Sequence, residues 1–346
     1  MYHSLTRARV TIAADDLVRS PAWLPLDNVA GDAVTLVRFD ESAYRRASFL
    51  DQRILASGCE WQRCAPATLQ AAAARLAPLS HYIFHTGHVG STLISRLIGE
   101  HESFFSLREP QLLRTIAAQA PPAGTVSPDA VPGLSVALAL LGRTWRSNQR
   151  AVVKATSFVS ELAEVMLTAA PRPAAILVFA RAREYLRGIL AGPNSRSEAR
   201  QLAPARLQRL VRRLGDGTWR AALRSEGEYV AMSWLCEMIA LQQVAVRFQR
   251  EVLWVDFDAF LGEPHPGLDG IFRALGVSPD AHEIEALLAG PLMRQYSKAP
   301  EHPYDAALRR EVLASADREH AAEIRRGLVW LDNVAMHHPQ IAALVA

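Results

Sequence analysis

The sequence predicts an α/β protein, with a doubly wound, mainly parallel sheet that carries helices on both faces. Two observations lead there. Short apolar runs of strand character recur beyond residue 79, "HYIFHT", "AVVKA", "AAILVFA" and "VLWVDF". Between them lie stretches with helical spacing, and apolar strands alternating with helices are the pattern of a parallel sheet covered on both sides.

In chain order, residues 1–79 are expected to form an N-terminal elaboration of the main domain. They offer one strand at 33–39, a helical stretch near 44–55 and an alanine-rich helix at 66–76, with apolar content too thin for an independent domain. Residues 80–346 make the α/β domain with its C-terminal helices. "HYIFHT" runs into a helix from Ser91, whose buried side is marked by Leu93, Ile94, Leu97 and Ile98. A helix follows "AVVKA" at 161–167, and another follows "AAILVFA" near Tyr185. Residues 228–248 read as one long buried helix, with Val230, Trp234, Met238 and Leu241 at helical spacing. "PPAGTVSPDAVPG" at 121–133 is a loop by composition.

With 346 residues, 50% apolar and 21% charged, the chain suits a globular protein. A net charge of +3 is too small to imply a nucleic-acid partner, though 38 basic residues allow local anion-holding patches. Three scattered cysteines make no disulfide framework and fit a reducing compartment. With no basic-then-apolar leader and no unbroken apolar run of membrane-spanning length, the expectation is a cytoplasmic protein with no membrane span. The oligomeric state is not legible.

The chemistry begins at "FHTGHVGSTLISRL", residues 84–97. Gly87 and Gly90 allow a tight turn, and the free N–H groups of the helix that follows point at whatever sits above it, which is an anion site. Gly87, His88, Val89, Gly90, Ser91 and Thr92 are the candidate cradle, with Ser91 and Thr92 supplying hydroxyls that serve equally as helix caps. An ATP-binding loop of the Gly-x-x-x-x-Gly-Lys-[Ser/Thr] kind has four residues between its glycines and a lysine. This loop has two and none.

The short Gly-Ser-Thr loop resembles the 5′-phosphosulfate loop of the sulfotransferase superfamily, with His88 where that family usually carries Lys or Arg. Further segments resemble the family in order, in the spacing of its protein-tyrosine and bacterial members. "REVLWVDFDAFLGEP" followed by "LDGIFRALGV" is similar to the family's late strand and turn, with Phe257 and Asp258 at the aromatic and acidic positions. "FFSLREPQLLR" places Glu109 where an acidic catalytic residue closes a strand, and "AVVKATS" places Lys154 where a lysine faces the transferring sulfonate. "LVFARAREYLRGIL" occupies the slot that binds the 3′-phosphate, with Arg181 and Arg183 supplying charge and Gly188 or Ile189 standing where a serine is expected. "RQYSKAPEHPY" resembles the closing basic segment, giving Ser297 and Lys298. The resemblance covers about residues 80–300.

It implies a P-loop-like fold and a sulfuryl transfer from 3′-phosphoadenosine-5′-phosphosulfate to an acceptor hydroxyl or amine, with adenosine 3′,5′-bisphosphate as product and no metal. Glu109 would be the general base, Lys154 would stabilise the bridging oxygen, and His88 would lend a pH-dependent charge. The acceptor class stays open among small-molecule, glycan and peptide hydroxyls. Rival readings remain. A P-loop kinase, or a nucleotide-binding protein without sulfotransferase activity, would use Asp256 or Asp258 of "VLWVDFD" for Mg²⁺. A metal site of His81, His85 and His88 lacks an acidic or cysteine partner nearby. Glu109 reads otherwise as a partner of Arg108 or Arg114, and Lys154 as a sheet-edge lysine reaching solvent. Residues 196–224, with eight arginines against two acidic residues, read as an amphipathic helix with Arg206, Arg209, Arg212 and Arg213 on its surface, or as a mobile lid.

Overall fold

A computed structural model describes residues 12–27, 32–120, 130–215, 217, 219 and 224–345 of the protein. Most of the loop expected at 121–133 lies outside the described residues. Among the described residues eight strands form two sheets. Strands β1 (Trp23–Pro25), β2 (Val34–Arg38) and β3 (Trp61–Cys64) make a small antiparallel sheet in that order. Strands β4 (Ser80–His85), β5 (Phe104–Arg108), β6 (Arg150–Lys154), β7 (Ala175–Phe179) and β8 (Val252–Asp256) make the expected parallel sheet, in the order β5-β6-β4-β7-β8.

That order positions the site. The chain starts in the middle at β4, builds β5 and β6 on one side and then crosses to build β7 and β8 on the other. The crevice beyond the carboxyl end of β4 is therefore where connections part company, and open parallel sheets hold ligands there. The helices around it are α1 (Glu41–Arg46), α2 (Ser91–Glu100), α3 (Ala182–Leu190), α4 (Pro193–Leu214), α5 (Glu226–Arg247), α6 (Ala306–Glu319) and α7 (Ala321–His337).

Side-chain alternation along β4 splits the core between the two faces. Tyr82 and Phe84 point to one face, where they join Leu24, Leu36, Tyr44, Leu50 and Leu69 from residues 12–79. Ile83 points to the other, where it joins Leu97, Leu186 and Trp234 from α2, α3 and α5. The N-terminal residues thus share one core with the parallel sheet. They carry more buried apolar side chains than the sequence led us to expect, Leu17, Leu24, Val34, Leu36 and Tyr44 all being 1% exposed or less.

Helix α5 is the interior element on the second face. A capping box starts it, with Ser225 Oγ accepting from Glu228 N at 3.2 Å and Glu228 Oε2 accepting from Ser225 N at 2.8 Å. It is long and apolar enough to cross a membrane, although the sequence shows no unbroken apolar run of that length, and in this fold 72% of its apolar window is buried in the protein. Its contact with α7 is close: a Cβ on Gly227 would lie 1.8 Å from Glu323 O, so no larger residue fits without parting the two helices.

Candidate functional site

Strand β4 ends at His85, and the chain then turns through Thr86-Gly87-His88-Val89-Gly90 into α2. The turn needs three left-handed residues, Gly87 at φ 99°, His88 at 54° and Gly90 at 66°. At Gly90 glycine is required twice over, because an added Cβ would stand 1.9 Å from the Phe257 ring. Phe257, named by sequence for its aromatic type, is thus the floor on which the turn rests. His85 braces the turn from below. Its Nδ1 accepts from Gly87 N at 3.0 Å and its Nε2 donates to Ala155 O at 2.9 Å. Those two backbone partners select one neutral tautomer, and burial, with Lys154 and Lys298 nearby, pushes its pKa well below the usual range.

The first turn of α2 leaves its N–H groups without intrahelical partners. Beside them Thr92, a residue of the chamber wall and 3% exposed, holds a buried hydroxyl with no hydrogen-bond partner among the described residues. Orphan N–H donors at a helix start fit an anionic oxygen ligand.

Lys154 and Glu109 come together at the carboxyl ends of neighbouring strands. Lys154 ends β6, which runs between β5 and β4, so it is not at a sheet edge and does not reach solvent. Glu109 follows β5 directly, and its backbone N donates to Lys154 O at 2.7 Å, carrying the ladder one residue further. The Lys154 ammonium donates to Glu109 Oε1. Glu109 therefore pairs with Lys154, and not with Arg108 or Arg114 as the alternative reading had it. Burial lowers the Lys154 pKa from 10.5 to about 8, against the opposing pull of Glu109. Glu109 stands at φ 51°. Of the three non-glycine residues with positive φ among those described, His88 and Glu109 both lie here, so backbone strain concentrates at this crevice.

Two chambers flank the turn. The larger, about 270 Å³, lies over Gly90–Leu93 and is walled by Gly188, Phe257, Tyr296, Lys298 and Tyr304 among others. A Cβ on Gly188 would meet open space, and this small wall opposite aromatic rings suits a flat heterocycle. The smaller, about 60 Å³, contains Glu109 with His85, Gly87, Arg114, Phe158, Leu202 and Arg206. His88, Ser195 and Lys298 line both.

Helix α4 forms the partition. Glu198 Oε2 lies 3.3 Å from His88 Nε2, and Ser195 Oγ lies 3.3 Å from His88 Nδ1. Burial lowers the His88 pKa although Glu198 pulls the other way, so the imidazole favours its neutral form and supplies no standing charge. Ser195 and Glu198 were not anticipated. The one signal was that Glu198 interrupts an arginine-rich segment.

Of the other residues named from sequence, Ser297 joins the larger chamber, and its carbonyl accepts from Arg96 Nε at 3.0 Å. Arg181 and Arg183 line neither chamber. The Arg181 side chain is 80% exposed at the end of β7 and bonds Asp256 at 3.2 Å, while Arg183 bonds Asp317 on α6 at 3.0 Å. The two aspartates proposed for Mg²⁺ are already engaged. Asp256 caps the helix that follows β8 by accepting from Asp258 N, and Asp258 is gripped by both Nε and Nη2 of Arg309 at 2.7 and 2.9 Å. Of the histidines of the alternative metal reading, His85 is held at both ring nitrogens and His81 at Nδ1, which accepts from Ala174 N.

The arginine-rich segment forms a helix over 193–214 with Arg212 outside as expected, but Arg206 and Arg209 are not. Arg206 and Arg209 are 4% and 3% exposed, because both bind Glu237 in the middle of α5. Arg206 Nε lies 3.0 Å from Glu237 Oε1, and Ser160 Oγ donates to the same carboxylate. Arg209 and Arg213 also bind Glu161, beyond β6. This buried network ties α4 to α5 and to Glu161 through Arg206, Arg209 and Arg213.

No family model matches the chain, and no curated protein matches it. Among solved structures it is similar to a sulfotransferase domain from the curacin biosynthetic pathway, at 14% identity and a TM-score of 0.42, covering 74% of this chain and 98% of that one. A sulfotransferase domain from the olefin synthase of Synechococcus PCC 7002 gives 14% identity and a TM-score of 0.40, over 74% and 96% of the two chains. A sulfotransferase from Alicyclobacillus acidocaldarius gives 18% identity and a TM-score of 0.34, over 62% and 92%.

Proposed function

We propose that the protein is a sulfotransferase that moves a sulfuryl group from 3′-phosphoadenosine-5′-phosphosulfate to an acceptor hydroxyl or amine. The observation that carries this reading is the buried Lys154–Glu109 pair beside a phosphate-type turn that has no lysine of its own. The helix start at Ser91 and Thr92 and the open wall at Gly188 fit a nucleotide phosphate and its base in the larger chamber. The turn at 87–92, Ser297 and Lys298 would hold that donor, whose contribution when bound is an activated sulfuryl group on a phosphate leaving group.

The chain's own groups divide the rest of the work. Glu109, held by the Lys154 ammonium, takes the proton of the acceptor as its oxygen or nitrogen bonds to sulfur. Lys154 offers a compact cation where negative charge builds as the bond from sulfur to the phosphate oxygen breaks. His85, neutral and held at both ring nitrogens, keeps the turn in register with the end of β6. Engagement of Asp256 and Asp258 weighs against the kinase alternative.

The test needs no knowledge of the acceptor. Adenosine 3′,5′-bisphosphate without metal is expected to bind in a calorimetric titration, and at 100 times its dissociation constant to stabilise the fold by about 2.7 kcal/mol. Binding of Mg·ATP with no binding of the bisphosphate would overturn the reading in favour of a kinase-like protein.

A further inference from the structure

Three buried arginines of the parallel-sheet domain end on backbone carbonyls of residues 12–79, with no carboxylate as partner. Arg143 reaches Leu17 O, Ser20 O and Trp23 O at 2.8–2.9 Å. Arg108 reaches Ala47 O at 2.7 Å as well as Tyr44 O. Arg96 differs from these two. It lies on α2, one helical turn past Thr92, and it divides its donors between two places. Nη1 and Nη2 go to Arg45 O, Arg46 O and Ser48 Oγ at the end of α1, and Nε goes to Ser297 O.

Ser297 belongs to a small hairpin, 294–304, closed by Tyr296 N to His302 O at 2.7 Å and Tyr304 N to Arg294 O at 3.1 Å. The hairpin walls the larger chamber, and Lys298 at its tip faces both chambers. A second link comes from the same N-terminal stretch, since the Phe49 ring lies 5.8 Å from Lys298 Nζ and 3.7 Å from the Arg53 guanidinium carbon. One guanidinium therefore joins the phosphate-type turn's helix, the N-terminal unit and the closing hairpin. Only arginine has the planar fork to reach these four acceptors on two sides at once, whereas the donors of a lysine radiate from a single nitrogen and cannot span both sides.

We propose that residues 41–53 are part of the active site: through Arg96 and Phe49 they hold the 294–304 hairpin so that Lys298 stands between the two chambers, which makes Arg96 a positioning residue for the anionic ligand. The ligand's identity rests on the sulfotransferase reading, but the positioning does not. The decisive comparison is amide hydrogen exchange of the ligand-free protein together with a bisphosphate titration, for wild type, Arg96→Met, Arg96→Lys, Phe49→Leu and Arg143→Met. Exchange across 294–304 is expected to rise about tenfold in both Arg96 variants and less in Phe49→Leu, but not in Arg143→Met, which loosens the N-terminal unit elsewhere. Affinity for the bisphosphate is expected to fall about tenfold in the Arg96 variants and to stay within about twofold in Arg143→Met. Wild-type exchange across 294–304 in Arg96→Lys would overturn the proposal, as would an equal rise in Arg143→Met. Raised exchange in the Arg96 variants of a protein that does not bind the bisphosphate would uphold the positioning and refute the donor. Should Arg96→Met fail to fold, Arg96→Lys carries the comparison alone.

Discussion

Lys154 with Glu109, and Arg206 and Arg209 with Glu237, are both sets of charges taken out of water, and they behave in opposite ways. Lys154 has one partner, which stands at the wall of a chamber, and burial brings its pKa down to about 8. Burial also works against the charge on Arg209, but Glu237, Cys236 and Glu161 more than offset it, and its pKa rises. Glu237 is raised by burial yet brought down overall by Arg209 and Arg206. A cation outweighed by desolvation can change state or redirect its charge to a ligand, whereas one surrounded by carboxylates is locked. The first arrangement is the kind that the proposed chemistry would use, and the second is the kind that holds a scaffold. The two are linked, since Arg206 reaches from the scaffold network to Ser157 Oγ at 3.2 Å, on the wall of the smaller chamber.

The sharpest way to break this contrast is to remove the scaffold's acid. Glu237→Gln leaves two arginines buried beside a neutral amide, and breaking a buried pair in this way costs about 3–5 kcal/mol. Denaturant unfolding should show that loss. A change below 1 kcal/mol would mean that water reaches the cluster.

A pH series tests the other side. Lys154 is half ionised near pH 8 in the folded protein and near 10.5 when unfolded, so the unfolded chain binds more protons between those values. Stability should therefore rise with pH across that window. Under the proposed role of the Lys154 ammonium, turnover should fall above about pH 8, approaching tenfold per unit. Opposite slopes for stability and rate are the signature, and parallel slopes would remove Lys154 from the chemistry.

The smallest effect is expected at Arg183, whose pair with Asp317 is half exposed and lines neither chamber. Arg183→Ala should change stability by less than about 1 kcal/mol. It should leave bisphosphate affinity within about twofold. A large loss of affinity would place the 3′-phosphate on α3 after all.

The parallel strands were legible because each is a short apolar run bounded by a helix. Strands β1 and β3 were not, since "WLP" has three residues and "WQRC" turns mostly polar side chains to solvent. In the candidate site, the sequence brought Gly87–Thr92, Glu109, Lys154 and Lys298 forward one by one, but their relations could not be read from it. Nothing local shows that β6 lies between β5 and β4, and that arrangement is what buries Lys154 and turns Glu109 towards it. Arg206 and Arg209 were misread as surface residues because their acid, Glu237, is distant in sequence and sits in a helix that otherwise reads as apolar. Glu198 was passed over because its partner, His88, lies 110 residues away in the chain.

The assignment of chemistry to Lys154 and Glu109 is tested most directly by following adenosine 3′,5′-bisphosphate released from the sulfated donor, with phenolic, sugar and alkyl alcohols offered as acceptors. In Glu109→Gln, turnover should fall by about 10² to 10⁴ while bisphosphate affinity changes little. In Lys154→Met both should fall. Full turnover in Glu109→Gln with an acceptor that the wild type uses would contradict the account and leave the pair as a buried strut beneath the turn.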